Sequence, residues 1–102
     1  MKLWEIAHAR SGDKGNVSNI SLIVLDKSDY ELIRKNITAE RVKQWFGENV
    51  KGKVERYELP QLGALNFVLY DALDRGVTHS LSLDKHGKTW SSFLLEMSVQ
   101  EE

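Results

Sequence analysis

Pro60-Gln61-Leu62-Gly63-Ala64-Leu65-Asn66-Phe67-Val68-Leu69-Tyr70-Asp71-Ala72-Leu73 is the stretch on which the reading of the fold turns. Leu62, Leu65, Phe67, Val68, Leu69, Ala72 and Leu73 follow one another at helical spacing. Pro60 suits the first turn of a helix, where its missing N–H has no partner to lose. Gly76 closes the run. The spacing predicts a helix that is apolar round most of its circumference and therefore covered on most sides.

Working outward, a second helix is signalled at Thr38, a good N-cap with Glu40 in the first turn. Ile37 before it and Val42 after it are placed as a hydrophobic staple. Val42, Trp45 and Phe46 form an apolar stripe, and Gly47 is a natural stop. Leu3 to Arg10 reads as a strand with Trp4, Ile6 and His8 on one face, ending at a glycine-rich turn from Ser11 to Asn16. Asn19 to Asp26 reads as a strand apolar on both faces, which places it inside a sheet. Tyr30 to Lys35 is too short to assign. Lys53 to Glu58 is a weak strand. Val77 to Asp84 and Phe93 to Val99 alternate as strands, joined through the short turn Lys85-His86-Gly87-Lys88. Strands mixed with two main helices predict an α+β two-layer sandwich, a mixed or antiparallel sheet with both helices on one face.

The chain of 102 residues has room for one domain, read here as spanning 1–102 with a frayed acidic tail after Val99. Fourteen Lys and Arg against 15 Asp and Glu leave a net charge of −1, which argues against a bulk electrostatic grip on nucleic acid or an anionic membrane. With no cysteine, disulfides, thiolate metal sites and cysteine nucleophiles are excluded. The richest apolar run, Ile20 to Leu25, is far shorter than the roughly 20 residues of a spanning helix. Nothing in the first ten residues reads as a signal peptide, so cytoplasmic residence is expected.

Arg10-Ser11-Gly12-Asp13-Lys14-Gly15-Asn16 is the most unusual segment. Its two glycines allow backbone N–H groups to turn inward, and Arg10 and Lys14 add positive charge, a combination that suits a phosphate or carboxylate. It meets neither the Walker A pattern nor G-x-G-x-x-G. Spacing alone favours the plainer alternative, a tight strand–strand connection in which Asp13 caps its own amides. In Asp84 to Thr89, His86 could act as acid, base or ligand and Lys88 as an anion contact, against a solvated hairpin turn.

His8, His79 and His86 lie in three different elements with no His-x-x-x-His pair, so a metal site has no local support and no cofactor is expected. His8 is expected as a half-buried, hydrogen-bonded side chain. Asn66, in the middle of the apolar helix, needs partners; it either bonds the turn after the first strand or lines a pocket. Ser91 and Ser92 lack a G-x-S-x-G context. Trp4, Trp45 and Trp90 are expected in the core or an interface.

Four ordered motifs recur together: His8-Ala9-Arg10-Ser11-Gly12-Asp13-Lys14-Gly15-Asn16 with Asn19-Ile20; Arg56-Tyr57-Glu58-Leu59-Pro60; Ala64-Leu65-Asn66-Phe67-Val68-Leu69; and Ser80-Leu81 through Asp84 with His86-Gly87-Lys88. In these the chain resembles the AtuA-like ferredoxin-fold domain, found at the C-terminus of acyclic terpene utilisation proteins of the AtuA type and as a stand-alone short protein. The resemblance implies a ferredoxin-like sandwich and a setting in the catabolism of terpenes and branched acyl compounds. It implies a candidate ligand site at Arg10, Ser11, Gly12, Asp13, Lys14, Gly15, Asn16, Asn66, His86 and Lys88, and brings no catalytic residue. The chain departs from the family pattern at Arg75, where a glycine is usual, and at His79, where an arginine is usual.

The leading expectation is a companion subunit of a separate AtuA-type large chain, lending residues to a carboxylate, phosphate or acyl-CoA site. The alternative is a self-assembling interaction module, a homo-oligomer without ligand chemistry. An autonomous enzyme has little support, because no nucleophile–base or metal pairing is visible.

Overall fold

A computed structural model describes residues 1–14, 17–72 and 90–100, with the backbone alone for residues 13 and 14. In chain order the elements are β1 (Ala7–Lys14), β2 (Val17–Val24), α1 (Tyr30–Asn36), α2 (Ala39–Phe46), β3 (Val54–Leu59), β4 (Ala64–Leu69) and α3 (Trp90–Leu95). The strands form one sheet in the order β1-β2-β4-β3, with every pairing antiparallel. β2 and β3 run the same way with β4 between them, and α1 and α2 carry the connection, which makes a split βαβ unit and a ferredoxin-like α+β sandwich.

The helices cover one face of this sheet. Ile33, Ile37, Val42, Phe46, Trp90 and Leu94 meet Ile20, Leu22, Leu65, Phe67 and Leu69 in one buried cluster. Phe46 is its hinge point, with ring centroids 5.3 Å from both Trp90 and Phe93, while Trp45 stacks on Phe93 at 5.0 Å. The Trp45 indole N–H donates to the Phe93 carbonyl at 2.9 Å, so its one polar atom is satisfied. Trp4, by contrast, is 55% exposed and belongs to no core.

α2 follows its sequence signals. Thr38 Oγ1 accepts from the Arg41 N–H at 3.1 Å, the staple residues Ile37 and Val42 are fully buried, and Gly47 closes the helix at φ +59°. α1, which the sequence left unassigned, starts from a 3-10 turn over Lys27–Asp29 whose Asp26 accepts from the Ser28 N–H. It buries Tyr30 and Ile33.

Over the described residues the run after Pro60 is a strand, not a helix; Leu73 and Gly76 lie outside them. Pro60–Leu62 makes a single 3-10 turn, with Pro60 in its first position, and Ala64–Leu69 then extends as β4. The joint is Gly63, at φ +63°, where a Cβ would also meet Val24 Cγ2 at 3.0 Å. Only glycine takes both conditions without strain. β4 is central in the sheet and apolar on both faces at several positions, and such a run fits helical spacing as well as a period of two.

Two further expectations change. The first strand begins later and runs longer: Leu3–Glu5 is a 3-10 turn, and β1 continues through Ser11, Gly12, Asp13 and Lys14, which therefore form strand rather than turn. Phe93 to Val99 is not a strand either. Trp90, Leu94 and Met97 are buried at helical spacing, and only Ser98 pairs, as an isolated bridge to Lys2. The expected strand 77–84 and the turn 85–88 lie outside the described residues.

Candidate functional site

Side chains alternate across a strand, so the register fixes what the sheet presents on its open face, the one that no described helix covers. Arg10 in β1 pairs with Ser21 in β2, Ser21 with Asn66 in β4, and Asn66 with Tyr57 in β3. These four make one transverse row across the whole sheet. On one side of it runs His8, Ile23, Ala64 and Leu59; on the other runs Gly12, Asn19, Val68 and Glu55. Neighbouring strands are about 4.8 Å apart, so each row spans roughly 15 Å.

The middle row is polar and internally bonded. The Asn66 side-chain amide donates to Ser21 Oγ at 2.9 Å. The amide therefore has its partner in β2, rather than in the turn after the first strand, and it lies on the open face of the sheet. Arg10 is exposed and engages no described residue, as do His8 and Asn19. His8 thus differs from the half-buried, bonded role expected of it, because the 3-10 turn at Leu3–Glu5 removes the strand face it was to share with Trp4 and Ile6.

At the β3 end of the face, Glu55 gathers three donors: the Tyr57 hydroxyl at 2.8 Å, the Tyr70 hydroxyl at 3.1 Å and Lys53 Nζ at 3.1 Å. These bonds, the Tyr57 bond foremost, hold its carboxyl below the usual glutamate range. The same contact with Glu55 pushes the Tyr57 phenol and the Lys53 ammonium upward. Lys53 also sits 5.1 Å from the centre of the Tyr70 ring. A period of two in Lys53-x-Glu55-x-Tyr57 was the available sign that these side chains share a face; Ser21 and Asn19 carry the same signal in β2.

The sequence-derived site is only partly brought together. Arg10, Gly12 and Asn66 share the open face, Arg10 and Asn66 in one row. Ser11 points to the helix side, where its hydroxyl lies 3.5 Å from that of Ser91. Asp13 and Lys14 pair with Ser18 and Val17 at the end of the ladder. An extended strand turns successive N–H groups in opposite directions, so residues 10–14 do not form a converging amide cradle. Gly15, Asn16, His86 and Lys88 lie outside the described residues, as do Arg75 and His79.

Two recesses are lined by described residues. One, of about 280 Å³, is lined by Lys35, Asn36, Thr38, Glu40, Arg41 and Gln44. Its Arg41 guanidinium donates to the carbonyls of Asn36, Ser98 and Val99 and so ties the C-terminal segment to the α1–α2 corner. The other, of about 270 Å³, is lined by Glu58, Leu59, Pro60, Gln61 and Leu62 and opens beside the apolar row. Among the described residues no three His, Asp or Glu side chains come together as a metal site, and no helix is long and apolar enough to cross a membrane.

The model of the AtuA ferredoxin-like domain matches residues 1–100. The chain belongs to that family. No curated protein and no solved structure matches it. In this AtuA ferredoxin-like domain the word ferredoxin describes the fold alone, because a chain without cysteine has no thiolate to hold an iron–sulfur cluster. Among the described residues, the AtuA ferredoxin-like sheet instead places the Arg10 guanidinium, which has no described partner, in register with the bonded Ser21–Asn66 pair.

Proposed function

We propose that this domain is a companion module of an AtuA-type large chain in acyclic terpene or branched acyl breakdown, and that it holds the anionic group of a ligand on its open sheet face. The observation that carries this reading is the row Arg10–Ser21–Asn66–Tyr57, in which Arg10 has no described partner. A guanidinium without a described partner beside hydroxyl and amide groups suits an oxyanion, since it offers several N–H donors in a fixed plane.

A thermal-shift titration with carboxylates, inorganic phosphate, citrate and an acyl-CoA tests it, wild type against Arg10→Ala. A ligand at a hundred times its Kd adds about 2.7 kcal/mol of stability, a shift of several degrees in a domain of this size. The shift is expected in the wild type and absent in Arg10→Ala, whose own melting temperature stays close to wild type. Unfolding of that variant, or no shift with any anion, would sink the site.

Exposed Trp4, Leu25 and Leu62, at 55%, 65% and 65%, favour a contact surface and so keep a self-assembling module as the second reading. Light scattering on the purified chain separates the two: a strict monomer removes self-assembly.

A further inference from the structure

Glu55 gives its two carboxylate oxygens to partners of different kinds. Oε1 accepts from the Tyr57 and Tyr70 hydroxyls, at 2.8 and 3.1 Å, whereas Oε2 takes Lys53 Nζ at 3.1 Å. The sheet makes this convergence. Tyr57 lies two residues along β3 and so shares the face of Glu55. Tyr70 follows β4 and donates its backbone N–H to the Lys53 carbonyl at 3.0 Å, one row beyond the Glu55–Val68 pair.

The two phenols fix the carboxylate without neutralising it. Each is an uncharged donor, and contact with Glu55 pushes the Tyr57 phenol up, so its proton stays in place. The charge that they orient is left for a cation to meet. Among the described residues that cation is Lys53. Its ammonium has Oε2 as one contact and the Tyr70 ring, 5.1 Å away at the centroid, as a second.

Lys53 is nonetheless held loosely, with a side chain that is 67% exposed. An exposed ion pair on a long flexible chain favours the closed state only about two- to fivefold, because ordering the chain offsets most of the attraction. The ammonium is an occupant of this site rather than part of its wall.

What takes its place must share its chemistry. A primary ammonium brings an N–H for Oε2 and a charge for the ring. A quaternary ammonium has no N–H to donate. A metal ion asks for several oxygen ligands, and among the described residues no three His, Asp or Glu side chains come together.

We propose that Glu55, Tyr57 and Tyr70 form a binding site for the primary alkylammonium group of a small molecule, and that Lys53 fills it in cis until the amine displaces it. The site does not depend on the anion site proposed above, since Arg10 stands in β1 and Glu55 in β3, at opposite edges of the described sheet.

The test is a titration of the whole chain with n-butylammonium, followed by the tyrosine ring signals in NMR, for wild type, Lys53→Ala and Glu55→Gln. Tetramethylammonium and uncharged n-pentanol are titrated beside it. Lys53→Ala should bind butylammonium about two- to fivefold more tightly than wild type, because its competitor is gone. Glu55→Gln should bind it about tenfold more weakly or worse, having lost the charged acceptor. Tetramethylammonium should bind more weakly than butylammonium, and pentanol should leave the Tyr57 and Tyr70 signals unmoved. Binding to Lys53→Ala no tighter than to wild type would overturn the in-cis occupant. Shifts that survive Glu55→Gln, a preference for tetramethylammonium, or no response of either ring in Lys53→Ala would overturn the site. Amide dispersion in both variants verifies that each is folded.

Discussion

On the helix-covered face of the sheet, Ile20, Leu22, Leu65, Phe67 and Leu69 have no exposed surface at all. On the opposite face, their chain neighbours Asn19, Ser21, Asn66 and Val68 remain half-buried or exposed. One strand thus serves two purposes with alternate residues: the inner set excludes water and holds the sandwich, and, among the described residues, the outer set keeps part of its surface exposed except at Ala64. Arginine shows the same division. Arg56, pointing to the helix side, donates to the carbonyls of Arg34 and Ile37 at 2.7 and 3.0 Å and to Glu58 at 2.9 Å, whereas Arg10 on the outer face has no described partner. Core and candidate site are therefore separable by parity along the strand.

Adjacent substitutions break or sharpen this contrast. Phe67→Ala should cost about 3–5 kcal/mol in chemical denaturation, because it empties a fully buried ring site. Asn66→Ala, one residue away, should cost about 1 kcal/mol, the worth of a half-exposed hydrogen bond to Ser21. Equal losses would mean that the outer face is a second core. Next in size is the arginine pair. Arg56→Ala should lose about 1.5–3 kcal/mol, since it leaves the carbonyls at the end of α1 without their donor. Arg10→Ala should stay within about 0.5 kcal/mol of wild type.

The smallest effect is expected from Glu55, and its sign follows from a depressed carboxyl. A folded-state value below the unfolded one stabilises above the unfolded value, and that contribution is lost as the pH falls through the folded one. Glu55→Gln should therefore be less stable than wild type at neutral pH. The gap should close below the ordinary glutamate range, as measured by melting temperature against pH. A gap that persists in acid would assign Glu55 a packing role instead.

Much of the architecture was legible in the sequence, and the errors cluster where two periods coincide. Thr38, Glu40 and Gly47 marked α2 by local chemistry, which tertiary packing did not override. Asn19 to Asp26 was placed correctly as an interior strand. Leu62 to Leu73 misled because Leu65, Phe67 and Leu69 alternate toward the core while Val68 adds apolar surface on the other side; Gly63, a breaker inside the run, was the signal against a helix. Phe93 to Val99 misled in reverse, as Leu94 and Met97 within it continue a buried helical stripe that starts at Trp90, before the run. The site suffered from the same ambiguity. With Asn66 placed on a helix its register with Ser21, Arg10 and Tyr57 did not exist, and long-range pairing of this kind is set by the sheet and not by any local motif.

The strand order also has a consequence for how the chain assembles. β1 with β2, and β3 with β4, are hairpins whose partners lie close in sequence, while β2 meets β4 only across the whole α1–α2 connection, pairing Ile20 with Phe67 and Ser21 with Asn66. Closing that large loop is the entropically demanding step, and its reward comes in one stroke when two preformed ribbons zip along their inner edges. The Ser21–Asn66 bond bridges that seam, so the residues that shape the open face also report when the two halves of the molecule have joined.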